Sequence, residues 1–542
     1  MTAIPIDRSG LTASPTAAST RWLVLGGALI IQLILGTVYG YSVFWQPLEA
    51  RWFPPVLTEA EAKARIEAGQ EVTAGAVIVP DAAAAERERA VRQGYLKYAF
   101  GICLLSFATS MVLAGRIQDV RGPRVTATIG GVLLGSGFLV ASRLQYEVTF
   151  QIAHAVLMGL VVVAALGVYE VLFPRAAERS HPLIRHLPLG VATFVIVAGV
   201  GLAQRHVHGD TTGRLLLFWA TVGLLAGIGI GFAYVSPIAA LVKWFPQHKG
   251  LVSGIAVAGF GFGAFLFSGK SVLGAVGFIE RYGIETFFGV HGLVCLLAVC
   301  GGALLLRNPP QVQQVQASGS AAVGPELTWQ ELLRSPAFYV IWLMFFSGAL
   351  AGLMVIGILK PFAGAQLVAA ASAGGAALDE ATTRELLARG AGAVGVLAIF
   401  NALGRIFWGL ASDRAGRTAA LTAMFLLQAL MLLMLTNLRS EWSLAVGAAW
   451  VGFNFGGNFA LFPSLTADLF GTRNLGANYG WVFTSYGLAG VSGVALGNAA
   501  MQWTGSYFAA FAIAAALCVL SALLALGLPA VRARWRPMAA AA

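Results

Sequence analysis

Apolar runs close to twenty residues long, broken by short polar loops, fill most of the chain. An α-helix needs ~20 residues at ~1.5 Å each to cross a bilayer, so each run predicts a membrane span. None shows the alternation of a membrane barrel strand. Expected spans are 22–45, 96–115, 125–143, 150–173, 187–203, 216–242, 251–270 and 284–306, then 337–362, 391–411, 418–436, 442–465, 477–500 and 506–531. A stretch with Pro309, Pro310 and a Gln/Ser/Gly-rich middle separates the first eight from the last six and reads as a linker. The chain is thus expected to comprise a tail (1–21), a first membrane half (22–306), a linker (307–335), a second half (336–531) and a second tail (532–542).

Composition supports this pattern: 58% of residues are hydrophobic and 11% charged, and the mean hydropathy is +0.77. A soluble domain needs more polar cover than that. The expected fold class is all-α, a polytopic membrane bundle of about 14 transmembrane helices. The net charge of +11 does not point to nucleic acid. Basic residues in 116–124, 175–186, 243–249, the linker, 414–417, 473 and 532–536 all fall on one side of the predicted topology, together with both termini. The positive-inside rule makes that side cytoplasmic, in a bacterial inner membrane. The opposite side carries two long inserts, 49–95 and 363–390, whose mixed charge reads as solvated cover. Residues 1–20 are too polar for a signal-peptide core, so the first span is expected to be retained.

Little in the sequence suggests catalysis. Cys103, Cys295, Cys300 and Cys518 lie in apolar runs without CxxC spacing, and the seven histidines are dispersed. No metal or cofactor is expected, and no enzyme activity. Gly259-Phe260-Gly261-Phe262-Gly263 lies inside a span with no strand before it, so it reads as close helix packing rather than a dinucleotide loop.

One element occurs twice. Gly115-Arg116-Ile117-Gln118-Asp119-Val120-Arg121-Gly122-Pro123-Arg124 follows one span of the first half. Gly409-Leu410-Ala411-Ser412-Asp413-Arg414-Ala415-Gly416-Arg417 follows the second span of the other half. Gly115, Asp119 and Gly122 thus recur as Gly409, Asp413 and Gly416. Such repetition makes the halves structural copies. Glycine allows a tight turn and close helix approach. The aspartate is suited to accept bonds from a neighbouring helix N-terminus or a basic side chain, with the arginines left in cytoplasmic water.

This repeat resembles the signature of the major facilitator superfamily, with Val120 in a place usually held by a basic residue. Tyr234 to Gly263, Asn401 to Arg417 and Gly456 to Gly480 look like the oxalate/formate antiporter family, which is related to monocarboxylate transporters. The resemblance implies two pseudo-repeated halves with twelve core helices. Two extra spans near 150–203 would then be an insertion that preserves the later topology.

Among charges within the spans, Lys360 and Lys270 sit near helix ends, and Glu170 is placed to reach the cytoplasmic headgroups. Arg405 alone is deep: eight residues before Asp413, it lies about 12 Å into a ~30 Å core. An intramembrane arginine costs at least ~2.5 kcal/mol and by default faces a bundle interior and serves a function. Its i−4 neighbour, Asn401, is uncharged, so a guanidinium without a fixed carboxylate is suited to an anionic cargo. The resemblance adds that the equivalent arginine binds substrate carboxylate, and that oxalate carriers pair it with a lysine where this chain has Tyr486. A monocarboxylate is therefore expected over oxalate. Tyr39, Tyr234, Phe483 and Tyr486 are further substrate-binding candidates, with Gln32, Tyr41, Asn454 and Asn458 as possible lining. The expected function is secondary transport of small organic anions of monocarboxylate or formate/oxalate type, by alternating access and anion exchange, in a monomer whose partners are its substrate and the lipid bilayer. The alternatives are a proton-coupled monocarboxylate symporter and a non-transporting carboxylate sensor.

Overall fold

The computed structural model describes residues 15–72, 75–143, 210–267, 274–310, 326–373 and 378–534. Twelve long helices run through them. In the first half they are α1 (Pro15–Leu35), α2 (Ala82–Arg121), α3 (Pro123–Ala141), α4 (Ala226–Trp244), α5 (Lys249–Phe267) and α6 (Ile284–Leu305). In the second they are α7 (Pro336–Ser372), α8 (Ala391–Ala415), α9 (Arg417–Met434), α10 (Glu441–Phe470), α11 (Leu475–Thr504) and α12 (Phe508–Arg534). Eleven helices among the described residues are long and apolar enough to cross a membrane. The twelfth long helix is α11, which carries a more polar sequence. The extra spans expected near 150–203, with Glu170 and Lys270, lie outside the described residues.

Local chemistry sets the helix ends. Asp81 caps α2 by accepting from the Ala84 amide, and Ser440 caps α10 through the Ser443 amide, each satisfying a donor that a helix start leaves free. Pro123 and Pro336 occupy the first turns of α3 and α7, where a missing N–H costs nothing. At the two repeated turns Gly122 and Gly416 have φ of 87° and 89°, a conformation that a side chain would strain. The same glycine therefore ends α2 and α8 and starts the next helix.

Two helices depart from regular α geometry. After Leu35 the first span tightens into a 3-10 stretch, Gly36–Phe44, before a short helix, Trp45–Trp52. A π-helical turn, Trp219–Leu225, precedes α4. Both kinds of irregularity recur near functional sites.

Part of each insert expected as solvated cover continues a bundle helix. Helix α2 begins at Ala82, well before 96, and α7 continues to Ser372. The first insert also holds two three-residue parallel strands, Val56–Thr58 and Val77–Val79. Arg92 anchors it, pairing with Glu88 at 2.9 Å and donating to the Pro54 carbonyl. These strands are a small exception to an all-α architecture.

Packing follows the halves. Helix α1 lies on α5 and α6, α3 on α4 and α6, and α2 on α4; in the second half α8 lies on α10, α7 on α11 and α12, and α9 on α12. Helix α5 also packs on α10, and the two closest pairs between the halves are α2 with α11 and α5 with α8. Glycine permits both. A Cβ on Gly115 would strike the Gly476 carbonyl, and one on Gly254 would strike that of Arg405. With no hydrophobic drive between helices in lipid, this backbone proximity supplies much of the association.

Candidate functional site

Arg405 is completely buried, 0% exposed, at the centre of the interface between the halves. Its Nε donates to Asn401 Oδ1 one turn earlier on α8 at 2.9 Å. Its Nη1 donates to the Val257 carbonyl on α5 at 2.6 Å. Nη2 makes no well-formed hydrogen bond, although the Tyr39 hydroxyl lies close to the guanidinium. No ion pair among the described residues includes this guanidinium; the nearby pairs use Lys243, Lys249 and Arg417 instead.

Aromatic faces take the place of a counter-ion. The guanidinium carbon lies 4.4 Å from the ring centre of Phe459 on α10 and 5.5 Å from that of Phe260 on α5. Contacts of this kind are worth ~2 kcal/mol or more when desolvated. The cation is therefore tolerated, but one edge of its fork makes no well-formed hydrogen bond. A carboxylate fits that edge better than a carbonyl does.

The six residues expected at the site come together. Tyr39, in the 3-10 stretch, shares a hydrogen bond with Tyr486 on α11, hydroxyl to hydroxyl at 2.6 Å. Phe483 packs on Tyr486 at 4.8 Å and on Tyr234 at 5.3 Å between ring centres. Phe260 joins them, 5.1 Å from Tyr39 and 5.5 Å from Tyr234. The charge of Arg405 reaches the hydroxyls of Tyr39, Tyr234, Tyr479 and Tyr486. The hydroxyls of Tyr234 and Tyr479 face each other without a well-formed hydrogen bond.

Other candidates are placed elsewhere. Tyr41 points into the first half, among Phe44, Phe100 and Phe138. Asn454 accepts from Trp408 Nε1 at 3.2 Å, and Asn458 donates back to its own helix at Phe455. Gln32 donates to the Tyr234 carbonyl at 3.2 Å and so supports that tyrosine's backbone. Lys360 is exposed near the outer part of α7.

Sequence reasoning overlooked Phe260, Phe459 and the Val257 carbonyl. The signal for Phe260 lay within the glycine run. Gly259, Gly261 and Gly263 do pack against neighbouring helices, and the ring between them is the one that meets Arg405.

The repeated turns form matching clamps at one end of the bundle. Asp413 accepts the amides of Gly250 and Leu251, the start of α5, at 2.9 and 2.7 Å. Asp119 accepts those of Gly476 and Ala477, the start of α11, at 3.0 and 2.7 Å. Each carboxylate thus caps a helix of the opposite half, where the helix dipole favours negative charge. Basic side chains complete the clamps: Lys243 lies 3.9 Å from Asp119, and Arg417 lies 2.7 Å from Asp413 and 2.9 Å from Asp468. Lys249 also pairs with Asp468, at 2.8 Å. Arg417 corrects the expectation that these arginines stay in water. Its side chain is only 15% exposed, because two carboxylates hold it, whereas Arg414 remains exposed.

The sequence pattern of the Major Facilitator Superfamily matches residues 184–378 and 386–540. The chain belongs to the major facilitator superfamily. It is a multi-pass membrane transporter of that type, and its relatives agree. It is 26% identical over 87% of its length to an uncharacterized MFS-type transporter, YhjX, of Escherichia coli (strain K12), covering 86% of that protein. It is 30% identical over 51% of its length to the oxalate:formate antiporter of Oxalobacter formigenes and 29% identical over 55% to apicoplast pyruvate carrier 1 of Toxoplasma gondii. Those matches span 61% and 62% of the two relatives. The fold is that of the proton:xylose symporter XylE bound to 6-bromo-6-deoxy-D-glucose, with a TM-score of 0.55, 14% identity and coverage of 93% of this chain and 95% of that one. The Arg405 cluster lies where the two halves of this fold meet.

Proposed function

We propose that this transporter carries a small monocarboxylate by alternating access, with Arg405 binding the carboxylate and exchange of one anion for another as its normal mode. The reading rests on one observation: a fully buried guanidinium whose fixed neighbours, Asn401, the Val257 carbonyl and the Tyr39 hydroxyl, are all neutral and whose Nη2 makes no well-formed hydrogen bond. A buried charge without an opposite partner is costly, and a cargo carboxylate removes that cost. Tyr39, Tyr234 and Tyr486 supply hydroxyls, while Phe260, Phe459 and Phe483 exclude water. A single cation suits a single carboxylate, and no lysine among the described residues stands beside Arg405. The likeness to an oxalate:formate antiporter and a pyruvate carrier supports the same substrate class. In this reading the chain works as a monomer in a bacterial inner membrane, with Asp119, Asp413 and both termini on the cytoplasmic side.

Proteoliposomes loaded or unloaded with counter-anion test it, with labelled formate, lactate, pyruvate and oxalate outside. Uptake of a monocarboxylate that depends on internal anion is the expected result. Equal uptake into empty vesicles at symmetrical pH counts against exchange, and no uptake of any of the four counts against the substrate class.

A further inference from the structure

We propose that Tyr234 and Tyr479 form a second polar subsite, which reads an oxygen on the carbon next to the cargo's carboxylate and so selects 2-oxo and 2-hydroxy acids among the monocarboxylates. The proposal rests on the carboxylate reading above and adds to it what the rest of the cargo must carry.

Each half contributes one of these phenols. Tyr234 stands on α4 and Tyr479 on α11, and both are buried. Their hydroxyls approach each other without a well-formed hydrogen bond, and neither has another partner among the described residues. The Tyr39–Tyr486 pair in the same cluster differs, because its hydroxyls bond each other at 2.6 Å. Phe483 packs against both members of the open pair, 5.3 Å from Tyr234 and 5.6 Å from Tyr479 between ring centres. Phe260 lies 5.5 Å from the Tyr234 ring and the same distance from the Arg405 guanidinium carbon. The charge of Arg405 reaches both hydroxyls. Aromatic rings thus enclose the cation's Nη2 and two phenol oxygens, none of which makes a well-formed bond.

Buried hydroxyls that lack good bonds are costly, and native interiors leave few of them. One oxygen atom set between the two phenols removes that cost. A 2-oxo group accepts from both. A 2-hydroxyl accepts from one and donates to the other. In such acids the extra oxygen is on the carbon beside the carboxylate, so the cation and the phenol pair serve neighbouring groups of one small molecule. Formate has no third oxygen, and oxalate sets a second negative charge against neutral phenols. Propionate matches pyruvate and lactate in length and charge, but it places a methylene between the hydroxyls and strands both. A site that bonds a substrate oxygen discriminates against the analogue lacking it, because the site's own polar groups are left unpaired. Since the phenols come from opposite halves, this oxygen is read only when the halves close on the cargo.

Isothermal titration of the purified chain with pyruvate, lactate, propionate and formate tests the subsite. Pyruvate and lactate are expected to bind about tenfold or more tighter than propionate. Tyr479→Phe and Tyr234→Phe each remove one hydroxyl and keep the ring, and each is expected to narrow that ratio roughly two- to tenfold. The ratio is taken within each variant, so a smaller folded fraction does not change it. If one variant does not fold, the other carries the test. Formate or propionate binding as tightly as pyruvate and lactate, or a ratio that survives both substitutions, overturns the subsite and leaves the carboxylate reading standing; the hydroxyls then bond only each other or a trapped water. If none of the four anions binds, the carboxylate reading falls and the subsite falls with it.

Discussion

Tyr39 and Tyr486 hydrogen-bond to each other at 2.6 Å across the boundary between the halves, beside the Arg405 guanidinium. Under the proposed carboxylate role, this pair offers the cargo one phenol from each half. Removing one hydroxyl with Tyr486→Phe forfeits a neutral hydrogen bond of ~0.5–1.5 kcal/mol, so anion affinity is expected to fall roughly two- to tenfold. Tyr486→Lys introduces the second cation that the resemblance associates with oxalate carriers. Its expected effect is a higher ratio of oxalate to formate transport, read by competition in counterflow. An unchanged ratio would show that the position does not set anion charge.

Arg405→Lys and Arg405→Ala separate charge from shape. Lysine keeps the charge but has no planar fork and no stacking face against Phe459. We expect a tenfold or greater loss of binding for lysine, in line with ~1.5–3 kcal/mol for a charge-assisted bond. Alanine is expected to abolish binding altogether. Melting temperature in detergent should fall little for alanine, because the substitution also removes a buried cation. Isothermal titration and a melting curve on the same samples check both statements.

The sequence made the architecture legible because a bilayer allows few solutions: apolar length and basic loops alone locate most of the twelve described long helices. The depth of Arg405 and its shared face with Asn401 were equally visible, since both follow from helix geometry, whereas the hydrogen bond between them came only with the structure. Phe260 and Val257 were not visible. Their roles depend on which face α5 turns toward α8, and an almost uniformly apolar helix carries no polar stripe to announce that face. The extensions of α2 and α7 escaped for a related reason. Alanine-rich, mixed-charge sequence is compatible with helix or solvated loop, and packing decides between them. Arg417 shows the same limit for charges, because its burial follows from Asp468 on a helix distant in sequence.

Asp119→Asn and Asp413→Asn test whether the halves move as rigid bodies. Each substitution leaves a side-chain oxygen but removes the charge that two backbone amides and a basic side chain require. A loss of ~1.5–3 kcal/mol is expected at the altered clamp, shifting the balance toward the form open at the clamp end about tenfold or more. Cysteine labelling at Ser253 on α5 and Gln118 on α2, both buried, reads the two seams separately. With rigid halves, either aspartate substitution raises labelling at both positions. Labelling confined to the altered seam would mean that each clamp frees only its own helix pair.

The closeness of α8 to α10 fixes the orientation of Arg405, and glycine substitutions can measure it. A Cβ on Gly456 would strike the Asn401 carbonyl and lie 3.2 Å from Arg405 Cγ, whereas one on Gly301 or Gly527 meets nothing within 4 Å. Gly456→Ala should therefore destabilise by ~1–3 kcal/mol through overpacking. It should also reduce uptake, because relief comes only by moving Asn401 or the arginine stem. Gly301→Ala and Gly527→Ala place alanine in open helix positions and should be neutral, or stabilising by ~0.5–1 kcal/mol. Melting curves and counterflow on all three separate general packing from site geometry. If Gly456→Ala melts and transports like the other two, α8 and α10 lie farther apart than described, and the guanidinium is not held by the Asn401 turn.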